Sequence, residues 1–468
     1  MRYFFISLLT VQLANVHMGF AQAADEANTD SYPILPGKPV AFVNGMLLDG
    51  YEAEPIHDAV VVIDGKRIVA AGPRHKTPIP DNAHVIDIGG KTLMPGFIDA
   101  HVHLDLIGHG DYDRYYRFLG GMQRLGEVMP IAAKQMLRAG VTSAVDLGTP
   151  LEILEFRERV RDREIPGPRL IVSGPWLTRV YYAGVPDEYQ IVVRSPREAA
   201  QRTRELIDAG VDVIKTWVGL TLEDYKAIVE AAHAADVKVH AHLYDPDAIR
   251  NAIDARIDVF QHVGSARNPP YSDALINEIA HKNIPIVQTI SHRIWVYPAT
   301  VAFPARLRKP LYAKDMPADI HAEFMASFES FHTLEYFHDI GRETRNAVVA
   351  AKQFIEGGAY IGVGTDAASP MNMHDEAMRF EMEALVDSGM TPIEVISAAT
   401  KTNAEILGLF DELGSVEAGK LADLVIVRGN PLANISNAGN VDIVVKDGVV
   451  HYAETADARE LAGIGNAF

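Results

Sequence analysis

MPGFIDAHVHL, residues 94–104, is an apolar run in which two histidines, His101 and His103, stand two positions apart. Successive side chains of an extended strand alternate between its faces, so both imidazoles point the same way and can share one metal ion. Seven further short β-branched runs end near Gly148 (VTSAVDLG), Gly174 (RLIVSG), Val218 (VDVIKTWV), Leu243 (VKVHAHL), Val263 (IDVFQHV), Ser291 (IPIVQTIS) and Asp366 (YIGVGTD). Several intervening segments carry helical spacing and caps: Ser195 with Glu198 precedes AAQRTRELIDAG, and Thr221 with Asp224 opens DYKAIVEAAHAA. Eight strands alternating with helices across residues 94–409 predict an α/β chain whose body is a (β/α)8 TIM barrel. The aromatic, His-containing stretch 292–345 is too long for a simple loop and is expected to be a helical lid inserted over the barrel mouth.

Two hairpin signals bracket this body. AVVVIDGKRIVAAG (59–72) and VDIVVKDGVVHYA (441–453) each place Asp-Gly between alternating apolar runs, and ADLVIVRG (422–429) reads as another strand. Residues 38–93 plus 410–455 are therefore expected to form one small β-sandwich domain built from both chain ends. At the start, Arg2, the apolar run Tyr3–Val16 and Ala21-Gln22-Ala23 predict a signal peptide over residues 1–23, with the mature chain beginning at Ala24. That run is too short for a membrane span, so the expectation is an exported protein, periplasmic or secreted, without a stable membrane anchor.

The 468 residues are 48% hydrophobic, enough for a large buried core. A formal net charge of −19 argues against binding nucleic acid or anionic membranes. The chain has no Cys, which excludes thiol nucleophiles and thiolate metal sites and leaves His and carboxylate as the ordinary ligands.

His240 closes the fifth predicted strand, His262 the sixth and Asp366 the eighth, while Lys215 lies inside the apolar run VDVIKTWV. With His101 and His103, all six fall at or near C-terminal strand ends, the face on which barrel enzymes build their sites. One His on an apolar strand is ordinarily structural, but six at matching strand ends point to a site. VHAH also puts His242 on the same face as His240, and the period-two rule does not separate the two.

This constellation sits on MPGFIDAHVHL, on HVG after the sixth strand and on GVGTDA (362–367). Together with LVDSGMTPIEVISAATKTNAEILG (385–408) and GSVEAGKLADLVIVRGNPL (414–432), it resembles the amidohydrolase superfamily of metal-dependent hydrolases. The last two segments are similar to its imidazolonepropionase-related, Xaa-Pro dipeptidase-like branch. The resemblance implies two divalent metal ions, with His101, His103 and Asp366 holding the more buried one and His240 and His262 the more exposed one. Carbamylated Lys215 would bridge them. Zn2+ is the default for such ligands, and Mn2+ or Co2+ would also fit. A hydroxide shared by the metals would attack the carbonyl, and Asp366 would act as general base and then general acid.

His242 falls where relatives place a Tyr beside the substrate, which makes it a candidate substrate contact. Dipeptide-cleaving relatives often carry Gly-Gly-His after the third strand, whereas this chain reads SGPWLTRVYYAGVP (173–186). Arg179 and Tyr182 in that segment, with His292 at the lid, are then the candidates for binding a carboxylate or an aromatic group. The leading expectation is cleavage of an amide bond in a dipeptide or N-acyl amino acid. Hydrolysis of a cyclic amide, lactone or xenobiotic amide or urea is the enzymatic alternative, and a binding protein on the same barrel the non-enzymatic one. The partner is a small-molecule or peptide substrate, with homo-oligomerisation left open.

Overall fold

The computed structural model describes residues 37–454 except 121–122, 266–269, 330–332 and 334–339. The signal peptide predicted for residues 1–23 lies outside the described residues. The chain enters through β1 (Val40–Leu47), β2 (Ile56–Asp64), β3 (Arg67–Pro73), β4 (His84–Asp87) and β5 (Thr92–Pro95). It continues through β6 (Phe97–Val102), β7 (Val141–Asp146), β8 (Arg169–Val172), β9 (Trp176–Thr178), β10 (Gln190–Val192) and β11 (Val213–Thr216). Then come β12 (Lys238–His242), β13 (Val259–Gln261), β14 (Ile286–Val287) and β15 (Ile361–Gly362), and the return through β16 (Leu424–Val427), β17 (Val441–Lys446) and β18 (Val449–Ala453). No helix among the described residues is long and apolar enough to cross a membrane.

Both chain ends share one sheet, in the order β18-β17-β16-β5-β1-β2-β3, with β4 paired to β1. The Asp-Gly signals close the expected hairpins, pairing Asp64 with Arg67 and Lys446 with Val449. Asp447 and Gly448 both adopt positive φ, 49° and 71°, as a tight turn matched to strand twist requires. The two turns meet: a Cβ on Gly448 would collide with the Gly65 carbonyl oxygen. Backbone bonds from Ile68 N–H to Lys420 O (2.9 Å) and from Gly419 N–H to Ile68 O (2.8 Å) tie the β3 edge to the segment before β16. Phe42, Val61, Ile68, Leu424, Ile443 and Val450 consequently share one core. The expected sandwich of two sheets is thus a single curled sheet, because β5 pairs with both β1 and β16 and joins the two halves by hydrogen bonds.

The remaining strands are all parallel, in the orders β6-β7-β8 and β10-β9-β11-β12-β13-β14-β15, and with their helices make a barrel-like α/β body. The eight predicted strands correspond to β6, β7, β8 and β11 to β15. β9 and β10 are additional, three residues each and too short to show a periodicity in sequence. The two ladders are not one closed sheet, but backbone bonds and an isolated Val102–Ala367 bridge cross between them. Asp212 N–H donates to Val172 O (2.8 Å), and Ala100 N–H to Val363 O (3.0 Å). Where β6 faces β15, the buried Asn403 carboxamide donates to Ile98 O (2.6 Å) and Val363 O (2.7 Å) and accepts from Val363 N–H (3.1 Å).

After β14, residues 292–326 form a run of short helices, of which Ala318–Ala326 is the longest, and Ile340–Glu356 leads into β15. Lys309 bonds Glu376 (2.6 Å) beyond β15, while Gly110 N–H beyond β6 donates to the Ser327 hydroxyl (2.8 Å). The insertion therefore packs against segments that leave the C-terminal ends of two strands.

Asn403→Ala is expected to lower stability by about 2–4 kcal/mol, because three bonds to buried backbone groups vanish together. Urea unfolding followed by circular dichroism measures it.

Candidate active site

The site begins where the strands end. β6 carries His101, fully buried, and His103 stands just past its last residue. Asp99 on the same strand accepts from the Thr365 N–H (3.0 Å) and hydroxyl (2.7 Å), which fixes the neighbouring Asp366 across the gap between β6 and β15. The Asp366 carboxylate lies 3.2 Å from His103 Nε2, 3.5 Å from His101 Nε2 and 3.8 Å from His292 Nε2. Glu381 accepts from the N–H groups of Ile290 (2.9 Å) and Ser291 (2.7 Å) and so holds the turn that presents His292. His262 and Asp366 adopt left-handed backbone, φ 67° and 53°. For non-glycine residues this costs about 1–3 kcal/mol each and is characteristic of functional sites. Its effect at His262 is specific: alternation breaks, and the consecutive Gln261 and His262 both address the site.

Gln261 links two imidazoles. Its Oε1 is 2.8 Å from His101 Nδ1 and its Nε2 is 3.0 Å from His240 Nδ1, while His262 Nδ1 is 2.7 Å from the Thr289 hydroxyl. Lys215 pairs in register with His240 on the next strand. Four nitrogens, Nε2 of His101, His240 and His262 and Nζ of Lys215, are then left buried with no hydrogen-bond partner. Burying such groups unsatisfied costs several kcal/mol in total, so something must compensate them. The donor set fits a divalent cation: ligand atoms of His101, His262 and Asp366 all lie within 4.8 Å of one another. This groups His262 with His101 and Asp366, whereas the resemblance pairs it with His240.

The electrostatics suit the same role. Burial, reinforced by Lys215, pushes His101 well below the usual imidazole range and His240 down to about 3, so both are neutral with lone pairs available. Burial likewise lowers His262, with His242 adding to it. Lys215 is driven by burial down to about 7 against the opposing pull of Asp366 and Asp146. Burial raises the Asp366 pKa, but the His103 hydrogen bond and the surrounding imidazoles outweigh it and keep the carboxylate ionised.

Above these groups opens a cavity of about 420 Å³, reaching His103, His262 and Asp366. His242 and Tyr182 line it, with Trp176, Trp217, Tyr244 and Arg293. His240 lies deeper than His242, at full burial beside Lys215. His292 is fully buried beside Asp366. Arg179 is a correction: its guanidinium makes two bonds to Asp224, 2.8 and 2.7 Å, and it is not among the cavity residues. Asp224 is also the third residue of the helix cap opened by Thr221, so the ion pair anchors Arg179 on the helix Leu222–His233. The guanidinium at the cavity is that of Arg293, bonded to Glu343 (3.0 Å). Sequence reasoning missed Trp217, although it stands two residues after Lys215 and the rule that pairs His101 with His103 would have found it. It also missed Gln261, whose position next to His262 implies the opposite face unless the positive φ is known.

Parallel strands ending in a buried His, Lys and Asp cluster define a metal-dependent hydrolase of the barrel class. Residues 92–450 match the amidohydrolase family, and the chain belongs to it. It is a hydrolase acting on carbon–nitrogen bonds of small molecules. Imidazolonepropionase of Streptomyces griseus is 26% identical over 392 residues, covering 83% of this chain and 90% of that protein. Among solved structures, a Xaa-Pro dipeptidase with methionine bound in its active site superposes with a TM-score of 0.70 at 23% identity, covering 89% of this chain and all of that one. Phenylurea hydrolase B gives 0.69 at 23% identity, covering 90% and 98%.

Gln261→Leu removes the bonds to both His101 and His240 at similar volume. Metal affinity is expected to fall by about 10- to 100-fold, read by competition against a chromophoric chelator.

Proposed function

We propose that the protein is an exported binuclear amidohydrolase that cleaves the amide bond of a dipeptide or N-acyl amino acid. The observation that carries this reading is the set of four buried nitrogens without a hydrogen bond around an ionised Asp366 at the floor of a small-molecule cavity. His101, His103 and Asp366, with His240 and His262, would hold two divalent ions, Zn2+ being the default for such donors. When bound, two such ions lower the pKa of a shared water from about 15.7 toward neutrality and polarise the scissile carbonyl.

The chain's own residues do the rest. Lys215, which burial drives down to about 7, keeps a lone pair that takes up CO2; loss of one proton leaves a carbamate that would help to hold the ions. Asp366 accepts the nucleophile's proton and returns it to the leaving nitrogen. His103, hydrogen-bonded to that carboxylate, keeps it in place. Arg179 does not line the cavity; His242 and Arg293, the latter also held by Glu343, His292 and Tyr244, do line it and are the groups that would meet a substrate carboxylate. The second reading, a xenobiotic amide or urea, is favoured by the aromatic lining. The export part rests on residues 1–23 alone, and N-terminal sequencing of the mature protein should begin at Ala24.

A panel of free and C-terminally amidated dipeptides and N-acyl amino acids on metal-reconstituted protein tests the substrate. Blocking the carboxylate is expected to lower kcat/KM by about 10- to 100-fold, since a charge-assisted bond is worth roughly 1.5–3 kcal/mol. Equal rates on free and blocked members would discard carboxylate recognition, and no hydrolysis of any member would turn the assignment to the xenobiotic reading. Elemental analysis is expected to give about two ions per chain in the wild type and about one in Lys215→Ala. Asp366→Asn should keep the fold and lower kcat by on the order of a hundredfold or more.

A further inference from the structure

The cavity wall is aromatic in a continuous line that the hydrolytic chemistry does not require. Trp176 stacks on Trp217 with centroids 4.9 Å apart and planes at 28°, and Trp217 lies 4.0 Å from His242 at 32°. His242 meets Tyr244 edge-on at 4.7 Å, and Tyr244 lies 5.4 Å from His262. Three strands supply this line: Trp176 comes from β9, Trp217 follows β11 and His242 ends β12. One end meets the metal-ligand candidate His262, and at the other end the buried Trp176 shares with His103 the space over Gly148. Lys215 Nζ is 5.9 Å from the centre of the Trp217 ring, so a group packed against that indole lies close to the buried cluster. Tyr112 and Tyr116 line the same cavity from the helix Tyr112–Leu119.

The cation marks the other end of the substrate. Arg293 lies over Tyr244, 5.7 Å from its ring centre, at the far side of His242 from the tryptophans. A carboxylate drawn to Arg293 places the leaving amino acid there and leaves the acyl part to Trp217 and Trp176. At about 420 Å³ the cavity is within the ordinary range of roughly 300–1,000 Å³ for small-ligand sites. We infer that the preferred substrates carry a planar aromatic ring on the acyl side of the scissile amide, packed against the edge of Trp217, whose two faces are taken by Trp176 and His242. This rests on the hydrolase reading above and adds the identity of the acyl group.

The test separates the two. N-phenylacetyl and N-cyclohexylacetyl derivatives of one amino acid differ in aromaticity at nearly equal size. Wild type is expected to prefer the phenylacetyl member by about 2- to 10-fold in kcat/KM, the range that ring–ring contacts add beyond buried area. Trp217→Leu should bring that ratio to about one, and Trp217→Phe should restore part of it, which a variant that merely misfolds would not do. Binding is read independently of turnover. The chain has three tryptophans, Trp176, Trp217 and Trp295, two of them in the cavity, so phenylacetate should change the emission of a Trp295→Phe protein saturably and cyclohexylacetate less. Saturable binding of phenylacetate without hydrolysis of any amide would leave the aromatic site standing and remove the hydrolase assignment of these substrates. Hydrolysis with equal rates on both members and no saturable emission change would overturn the aromatic inference while leaving the amidohydrolase reading intact.

Discussion

Lys215 is fully buried inside a parallel strand, and an ammonium there would bear a large desolvation cost. Much of the surrounding architecture follows from how that cost is avoided. The amine is held near neutrality, and the imidazoles beside it are neutral for the same reason, since each would be a second buried cation. One carboxylate, Asp366, stays ionised because hydrogen bonding and nearby imidazoles favour its anion. The cluster thus presents lone pairs and one negative charge, and few arrangements other than a bound cation balance that.

Second-sphere contacts make the arrangement rigid. Gln261 reaches both rings, its oxygen facing His101 Nδ1 and its nitrogen facing His240 Nδ1, and leaves Nε2 of each buried without a hydrogen-bond partner. Asp99 and Asn403 act at a larger scale, each reaching from β6 or its neighbours to the segment after β15, where an isolated Val102–Ala367 bridge joins the two. The left-handed residues at the strand ends are tolerated because these bonds over-determine the backbone around them.

What was legible in the sequence was whatever repeats with a simple period. Two-residue alternation revealed β6, the paired His101 and His103 and both Asp-Gly hairpins, and cap chemistry revealed the helices after Ser195 and Thr221. Illegible were features decided by contacts between distant segments. Nothing local says that β5 will pair with both β1 and β16, turning two sheets into one. Arg179 looks available until Asp224, itself correctly read as a capping residue, is seen to take its guanidinium side-on through Nε and Nη2. Gln261 reaches the site only through a backbone reversal at His262, and β9 and β10 are shorter than any window in which a period can be detected.

The curled terminal sheet also governs the order of events in making the protein. β5 leaves the ribosome early, but its antiparallel partner β16 begins at Leu424, more than 300 residues later. Until that strand arrives, the first hundred residues present an open edge able to pair with other chains. Completing the sheet is therefore a late, long-range step of high contact order, slow by nature and reached only after nearly the whole chain has been synthesised. A translation product cut short before β16 would keep most of the active-site residues and still lack the partner that seals its own beginning.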